Sequence, residues 1–300
     1  MDKDIIANNH PLHLTNLQKV FWPKEKITKG DLVEYYDKIS KYILPYLKDR
    51  PESLLRNPNG INGHSFFHKD VGDMPPKWVK TQKIYSESNE EDINYLVCQD
   101  KATLLYMVNL GCIEINPWFS RIKSLDKPDL IAIDLDPLDI DFEAVIETAK
   151  GVKEVLDRAK AVGYCKTSGA TGIHIYIPLN AKYDYEIAKE FAHVIAQEVH
   201  ELLPDTTSIE RLTKFRKEKV YIDFLQNRKG QTLAGAYSAR PKAGATVSTP
   251  LEWKELKKGL TPEQFNIKNI FKRLEKKGDL FQGAIGKGVN ILKCMKNLGY

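Results

Sequence analysis

Apolar residues along the chain follow two periods, and the changes between them mark out elements. Leu32, Tyr35, Tyr36, Ile39 and Ile43 recur at three and four, the spacing of a helix with one buried face. Thr28, three residues before Asp31, resembles a capping box for that helix, and Pro45 should kink or end it. Residues 53–69 read as strand, turn, strand, with Asn59-Gly60 and Asn62-Gly63 as turn signals. The adjacent Phe66 and Phe67 cannot both point inward from one strand, so one is left as an exposed aromatic surface. The acidic stretch 88–96, ESNEEDINY, reads as a surface loop, and 102–108 as a short helix.

The second half is more regular. Phe142, Val145, Ile146, Ala149, Val152, Val155, Leu156 and Ala159 predict a long amphipathic helix within 140–163, closed by Gly163. A second helix opens at Asp184, turns Ala188, Phe191, Ala192, Ile195, Val199 and Leu202 inward, and ends near Pro204. Short apolar runs at 130–133, 173–177 and 220–225 have strand character. In the middle run His174 and Tyr176 share one face, while Ile173, Ile175 and Ile177 share the other. Strand, helix, strand, helix, strand predicts a mixed α/β chain whose polar residues gather at strand ends. Beyond Pro250 the pattern is helical, then basic; there is no internal repeat and no low-complexity tract.

Composition narrows the partners only a little. Three hundred residues can bury one large core or two modest lobes. An apolar content of 42% with 28% charged residues is that of an ordinary globular protein. No run of eighteen apolar residues occurs, and the start, MDKDIIANNH, lacks the apolar stretch of a signal peptide, so a cytoplasmic location without membrane contact is expected. Cys98, Cys112, Cys165 and Cys294 are scattered with no Cys-x-x-Cys pair, which argues against a zinc ribbon and a disulfide framework. A formal charge of +5 permits a polyanionic partner without requiring one.

The candidate chemistry starts at 128–137, PDLIAIDLDP. Residues two apart on a strand share a face, so Asp134 and Asp136 should project together while Leu135 returns to the core. Two such carboxylates repel unless they share a cation or proton, and oxygen ligands select a hard divalent ion. A solvated strand end with two idle aspartates is the competing reading. Further on, the turn 168–172, SGATG, with two glycines, can present backbone N–H groups to phosphate oxygens, and Ser168 and His174 would add side-chain donors. In 220–227, VYIDFLQN, Asp223 is a single carboxylate in an apolar strand, costly to bury without a metal or basic partner. Three carboxylates on neighbouring strands can hold two cations about 4 Å apart, the arrangement for in-line phosphoryl transfer. Lys19, Lys24, Lys26 and Lys29, with Phe21 and Trp22 among them, precede a helix start, which suits a phosphate, although on these residues alone a solvated lysine-rich loop is the favoured reading.

Taken in order, LTNLQKVFWP, TKGDLVEYY, RNPNGINGHSFF, NPWFSR, DLIAIDLDP, KTSGATGIHIYIPL, VYIDFLQN and AYSARPKAGATVSTPLEW resemble the polymerase domain of bacterial ligase D and its stand-alone relatives, in the archaeo-eukaryotic primase superfamily. The resemblance runs from about Leu14 to the C-terminus. It implies an α+β primase-polymerase fold, with central sheets flanked by helices and an active site between two packed sheet modules. It further implies one domain over 1–300, with an N-terminal lobe to about 110, a catalytic core over about 111–255 and a C-terminal helical segment. Asp134, Asp136 and Asp223 match the family's metal triad, for two manganese or magnesium ions. Ser168, His174, Arg216, Gln226 and Arg240 match contacts to the incoming nucleotide. Lys19 and Lys29 match lysines that hold the 5′-phosphate at a break, and Phe66 and Phe67 match aromatics against the template base. Leu55 stands where some relatives have a basic residue, so Arg56 is left unassigned. The implied activity is templated addition of nucleotides to DNA 3′ ends, ribonucleotides by preference, for gap filling and end processing in non-homologous end joining, beside a DNA ligase and a Ku-type end-binding protein.

Three other readings compete. A haloacid-dehalogenase-type phosphatase also uses Asp-x-Asp after an apolar strand, but places it near the amino terminus and follows it with Thr or Val; here Pro137 and Leu138 follow. A manganese glycosyltransferase gives no reason for Asp223 or the lysine loop. A non-catalytic DNA-end-binding module has no need of three strand carboxylates.

Overall fold

A computed structural model describes residues 2–87 and 89–300. The chain divides into two compact units: Met1–Lys123 with Thr232–Val247 and Phe265–Lys272, and Ser124–Gln231 with Ser248–Gln264 and Arg273–Tyr300.

The first unit opens with a hairpin, β1 (Lys3–Ala7) and β2 (His10–Leu14), followed by the short pair β3 (Val20–Trp22) and β4 (Ile27–Thr28). Helix α1 (Lys29–Leu47) starts at the expected capping box, with Thr28 and Asp31 each satisfying the other's backbone N–H. Its face of Leu32, Tyr36, Ile39, Ile43 and Leu47 is fully buried. The helix continues through Pro45 rather than ending there. Pro45 lies in the last turn, so only one backbone hydrogen bond is forfeited before Lys48 leaves with ψ 131°. Five strands then form a sheet: β5 (Arg50–Arg56), β6 (Phe66–His68), β7 (Thr81–Ser86), β8 (Glu91–Cys98) and, after α2 (Lys101–Asn109), β9 (Cys112–Pro117). The acidic stretch expected as loop is instead mostly β8. Glu91 and Asp92 are exposed while Ile93 and Tyr95 are buried against β7, a period of two hidden by the charges that precede it. Ser88, in the same stretch, lies outside the described residues.

The second unit is one six-stranded sheet in the order β13-β14-β10-β12-β11-β15, and it contains the catalytic candidates. Its strands are β10 (Leu130–Leu138), β11 (Tyr164–Thr167), β12 (Ile173–Pro178), β13 (Thr207–Ser208), β14 (Lys219–Asp223) and β15 (Pro250–Leu251). All neighbours are antiparallel except β13 and β14. Helices α3 (Phe142–Ala159) and α4 (Tyr185–Leu202) both pack on β10 and on each other through the apolar faces expected of them, except that Leu202, expected inward, is the last residue of α4 and is 42% exposed. Asp184 caps α4 by accepting from the Ile187 N–H. Helix α3 ends at a left-handed Lys160, not at Gly163. Gly163 answers to packing instead, since a Cβ there would sit 2.5 Å from Leu156 Cδ1. Two further helices, α5 (Ile270–Lys277) and α6 (Ile291–Leu298), close the chain, with α6 against α3 and α4.

The architecture is mixed α+β. The lobe boundaries expected from the sequence shift: β9 pairs with β5, so residues 111–123 join the first unit, as do 232–247, and the C-terminal segment is shared. The four cysteines are buried and free. Among the described residues no helix is long and apolar enough to cross a membrane.

Candidate active site

Strand β10 lies between β12 and β14, and its register decides the site. Asp134 is opposite His174 on one side and Asp223 on the other, and His174 is in turn opposite Lys166 on β11. Directly opposed residues share a sheet face. One polar rung therefore runs Asp223, Asp134, His174, Lys166 across four strands. Asp136, two residues on, projects from the same face opposite Tyr221, and Leu135 between them is fully buried. Strand β10 passes through Pro137 to Leu138, beyond its last rung with β12 at Leu135–Ile173, so the missing N–H leaves no β12 partner unmet.

His174 Nε2 is 3.3 Å from Asp134 Oδ1. Asp223 accepts at Oδ1 from the Leu225 N–H (2.8 Å) and Tyr221 Oη (3.3 Å), and at Oδ2 from Gln226 Nε2 (2.9 Å). Asp136 is reached by solvent on one side, yet protein packed on the other raises its carboxyl above the usual range; Arg216 opposes that shift and Asp223 adds to it. The strand geometry around these groups is reinforced by Asn227, whose side-chain amide accepts from the N–H of Ala132 and donates to its carbonyl, 2.8 and 2.7 Å away. It supplies the rung that β14, ending at Asp223, no longer provides.

The glycine-containing turn is built differently from expectation. Ser168 Oγ accepts from the N–H groups of Ala170 (3.1 Å) and Gly172 (2.9 Å), so these two donors stabilise the turn itself. Gly172 touches β10: a Cβ there would meet Leu135 O at 2.2 Å. Beside the rung, Arg211, Arg216, Tyr221, Asp223, Gln226 and Arg228 line a polar cavity of about 250 Å³. Arg216 lies over the Tyr221 ring at 4.0 Å, and its buried Nε and Nη1 find no hydrogen-bond partner among the described residues, which suits an anion.

The remaining candidates belong to the first unit. Lys19 is exposed and donates to Asn59 Oδ1. Lys29 is buried and donates to Thr15 O (2.6 Å) and Asn109 Oδ1 (2.8 Å). Phe67 is 57% exposed, while Phe66 is half-buried between His64 and the Arg56 guanidinium, 5.3 Å from its centroid. Arg240 is ion-paired with the buried Glu114 at 2.6 Å.

Sequence reasoning passed over Lys166, Asn227, Arg211 and Arg228. Lys166 had one visible signal, a lone cation in the short strand YCKT two residues before Ser168.

The family model described as LigD, primase-polymerase domain, matches residues 28–281. The chain belongs to this family. As a LigD primase-polymerase domain it is an enzyme of the nucleotidyltransferase class. It is 37% identical over 280 residues to the bifunctional non-homologous end joining protein LigD of Bacillus subtilis, covering 91% of this chain and 45% of that protein. It is 28% identical over 266 residues to the multifunctional LigD of Pseudomonas aeruginosa, covering 88% and 31%. The chain thus spans less than half the length of these relatives. Its fold is similar to that of the polymerase domain from Mycobacterium tuberculosis ligase D in complex with DNA, with a TM-score of 0.84, 25% identity, and coverage of 93% and 99%.

The donors of this LigD primase-polymerase domain suit a divalent cation in kind: three carboxylates share one face, and a cation would relieve the strain on Asp136. Among the described residues, no three acidic or histidine side chains already converge as a ligand set. Gln226, Tyr221 and the Leu225 N–H hold Asp223 back, and a cation would compete with them for its oxygens.

Proposed function

We propose that this chain adds ribo- or deoxyribonucleotides to DNA 3′ ends under the direction of a template, filling gaps and processing ends in non-homologous end joining. The observation that carries this reading is the register that sets Asp134 directly opposite Asp223 with Asp136 two residues beyond. Asp134, Asp136 and Asp223 would hold manganese or magnesium, two ions in all. When bound, such ions lower the pKa of an attacking hydroxyl and neutralise a leaving pyrophosphate. Arg216 offers its guanidinium nitrogens to the triphosphate, joined by Ser168, His174 and Gln226; Arg240 is a further nucleotide contact in this reading. Lys19 and Lys29 hold the 5′-phosphate of the downstream strand, and exposed Phe67 with Phe66 packs on the template base. A DNA ligase and a Ku-type end-binding protein are the partners this role requires, in the cytoplasm, with the whole of 1–300 acting as one domain.

The test is primer extension on a gapped, 5′-phosphorylated duplex with manganese, comparing ribo- and deoxyribonucleotides. Extension that follows the template base is expected. Failure to extend any end with either ion, while Mn²⁺ binding by electron paramagnetic resonance is normal, would overturn the polymerase reading.

Lys29 gives this reading a pH signature. Burial, with Lys19 and Arg56 nearby, pushes its pKa down from 10.5 to about 8, against a raising effect of Asp2. The charged form opposes folding, so this group makes the fold more stable as pH rises from about 8 towards 10.5. Phosphate binding has the opposite sign, because only the ammonium attracts the anion. The advantage of 5′-phosphorylated over unphosphorylated ends should shrink several-fold between pH 7 and 9. Lys29→Arg should remove that pH dependence; equal pH profiles for both kinds of end would rule Lys29 out of phosphate binding.

A further inference from the structure

Of the four residues in the polar rung, Lys166 has no part in the roles above. It is 0% exposed, on a strand with β12 on one side and β15 on the other. A buried ammonium persists only where acceptors surround it. Here Nζ lies 2.8 Å from His174 Nδ1 and 2.6 Å from Ser248 Oγ, with the Tyr176 ring centroid at 5.4 Å. Ser248 Oγ donates to Thr167 O at 2.9 Å, which leaves its lone pairs to receive from Lys166.

An ammonium has donors and no acceptor, so His174 Nδ1 must offer its lone pair. A neutral imidazole whose Nδ1 bears no proton carries it on Nε2, the nitrogen 3.3 Å from Asp134 Oδ1. The opposite arrangement, an amine accepting from Nδ1–H, would set an Nε2 lone pair against a carboxylate. A doubly protonated ring would set Nδ1–H against the ammonium or, beside a neutral amine, would leave the shared proton on the weaker base of the two. We infer that Lys166 is a positioning residue that fixes His174 as the Nε2–H tautomer and locks its ring, so that an N–H is aimed at the carboxylate and nucleotide side of the sheet. The benefit to nucleotide binding rests on the reading of His174 given above; the tautomer does not.

The decisive measurement is made on the unaltered 300-residue chain: long-range ¹H–¹⁵N spectra of uniformly labelled enzyme, with His174 assigned by loss of its signals in His174→Gln. A proton on Nε2 and a bare Nδ1 are expected; a proton on Nδ1 overturns the proposal. Lys166→Met keeps the volume and removes the donor, and should raise the KM for nucleotide about tenfold with a smaller change in kcat. Lys166→Arg, which retains donors, should recover part of that loss, which a purely packing role would not predict. In a His174→Gln background Lys166→Met should add nothing further to KM; a full additional tenfold there overturns action through His174. An Nε2–H tautomer with a nucleotide KM indifferent to His174→Gln would sink the nucleotide contact and leave the positioning intact.

Discussion

Asp134→Asn is expected to lower templated nucleotide addition about a thousandfold while leaving the fold in place. A metal ligand that helps neutralise charge in phosphoryl transfer is worth several kcal/mol, and each 1.36 kcal/mol is tenfold in rate. The substitution keeps the side chain's shape and its place in the rung between His174 and Asp223, so packing is undisturbed. It also removes one of three carboxylates sharing a face, which relieves repulsion. Thermal unfolding should therefore stay within about 3 °C of the parent protein, and Mn²⁺ binding should weaken in parallel with activity. Loss of the cooperative melt, with activity lost only as a consequence, would show that Asp134 serves structure. Asp136→Asn should lose activity similarly, with a sign in stability that tells the two effects apart. The folded carboxyl of Asp136 titrates above its ordinary value of 3.8, so ionisation opposes folding. That opposition is absent below the unfolded pKa and grows as pH rises through the folded one. The parent protein should lose stability relative to Asp136→Asn over that rise, as read by urea unfolding at pH 3.5 and pH 7.

The candidate site was legible in the chain wherever chemistry and period coincide. Asp134 and Asp136 bracket a buried leucine, and the alternation at 173–177 put His174 opposite the isoleucine face, so their strand placement followed from spacing alone. Pairing did not follow, because antiparallel register is set by distant strands: nothing local places Asp223 against Asp134 or Lys166 against His174. The same limit applies to Asn227, whose amide acts on a strand 95 positions away. Local misreadings had local causes. Charges at 90–92 masked the start of β8, and Gly163, which looked like a helix terminator, is small because Leu156 lies over it. The unit boundaries were the least visible feature, since residues 232–247 return to the first unit through bonds such as Tyr35 Oη to Tyr237 O, which no periodicity announces.

Gly172→Ala is expected to cost about 3 kcal/mol of stability and to lower activity about a hundredfold in the protein that remains folded. The reason is space rather than backbone freedom, because Gly172 carries no left-handed φ. An added Cβ would lie 2.2 Å from Leu135 O and 3.3 Å from Leu135 C, contacts that a backbone cannot yield as a flexible side chain could. Relief requires the turn to withdraw by roughly 1 Å, about the gap to an ordinary contact. That movement strains two bonds to Ser168, from the Gly172 N–H and to the Gly172 carbonyl, both 2.9 Å. It also pulls on the Leu135–Ile173 rung, one position from the Asp134–His174 rung. Displacements of this size at a reacting centre are worth about two orders of magnitude in rate. Gly169→Ala is the control. Gly169 has φ 74°, so alanine there brings about 1–2 kcal/mol of local backbone strain. It should melt lower than the parent but keep kcat within about threefold. If Gly172→Ala matched Gly169→Ala in both melting and kcat, the turn would not bear on the carboxylate strand, and the mechanical link from the glycine turn to Asp134 and Asp136 would fall.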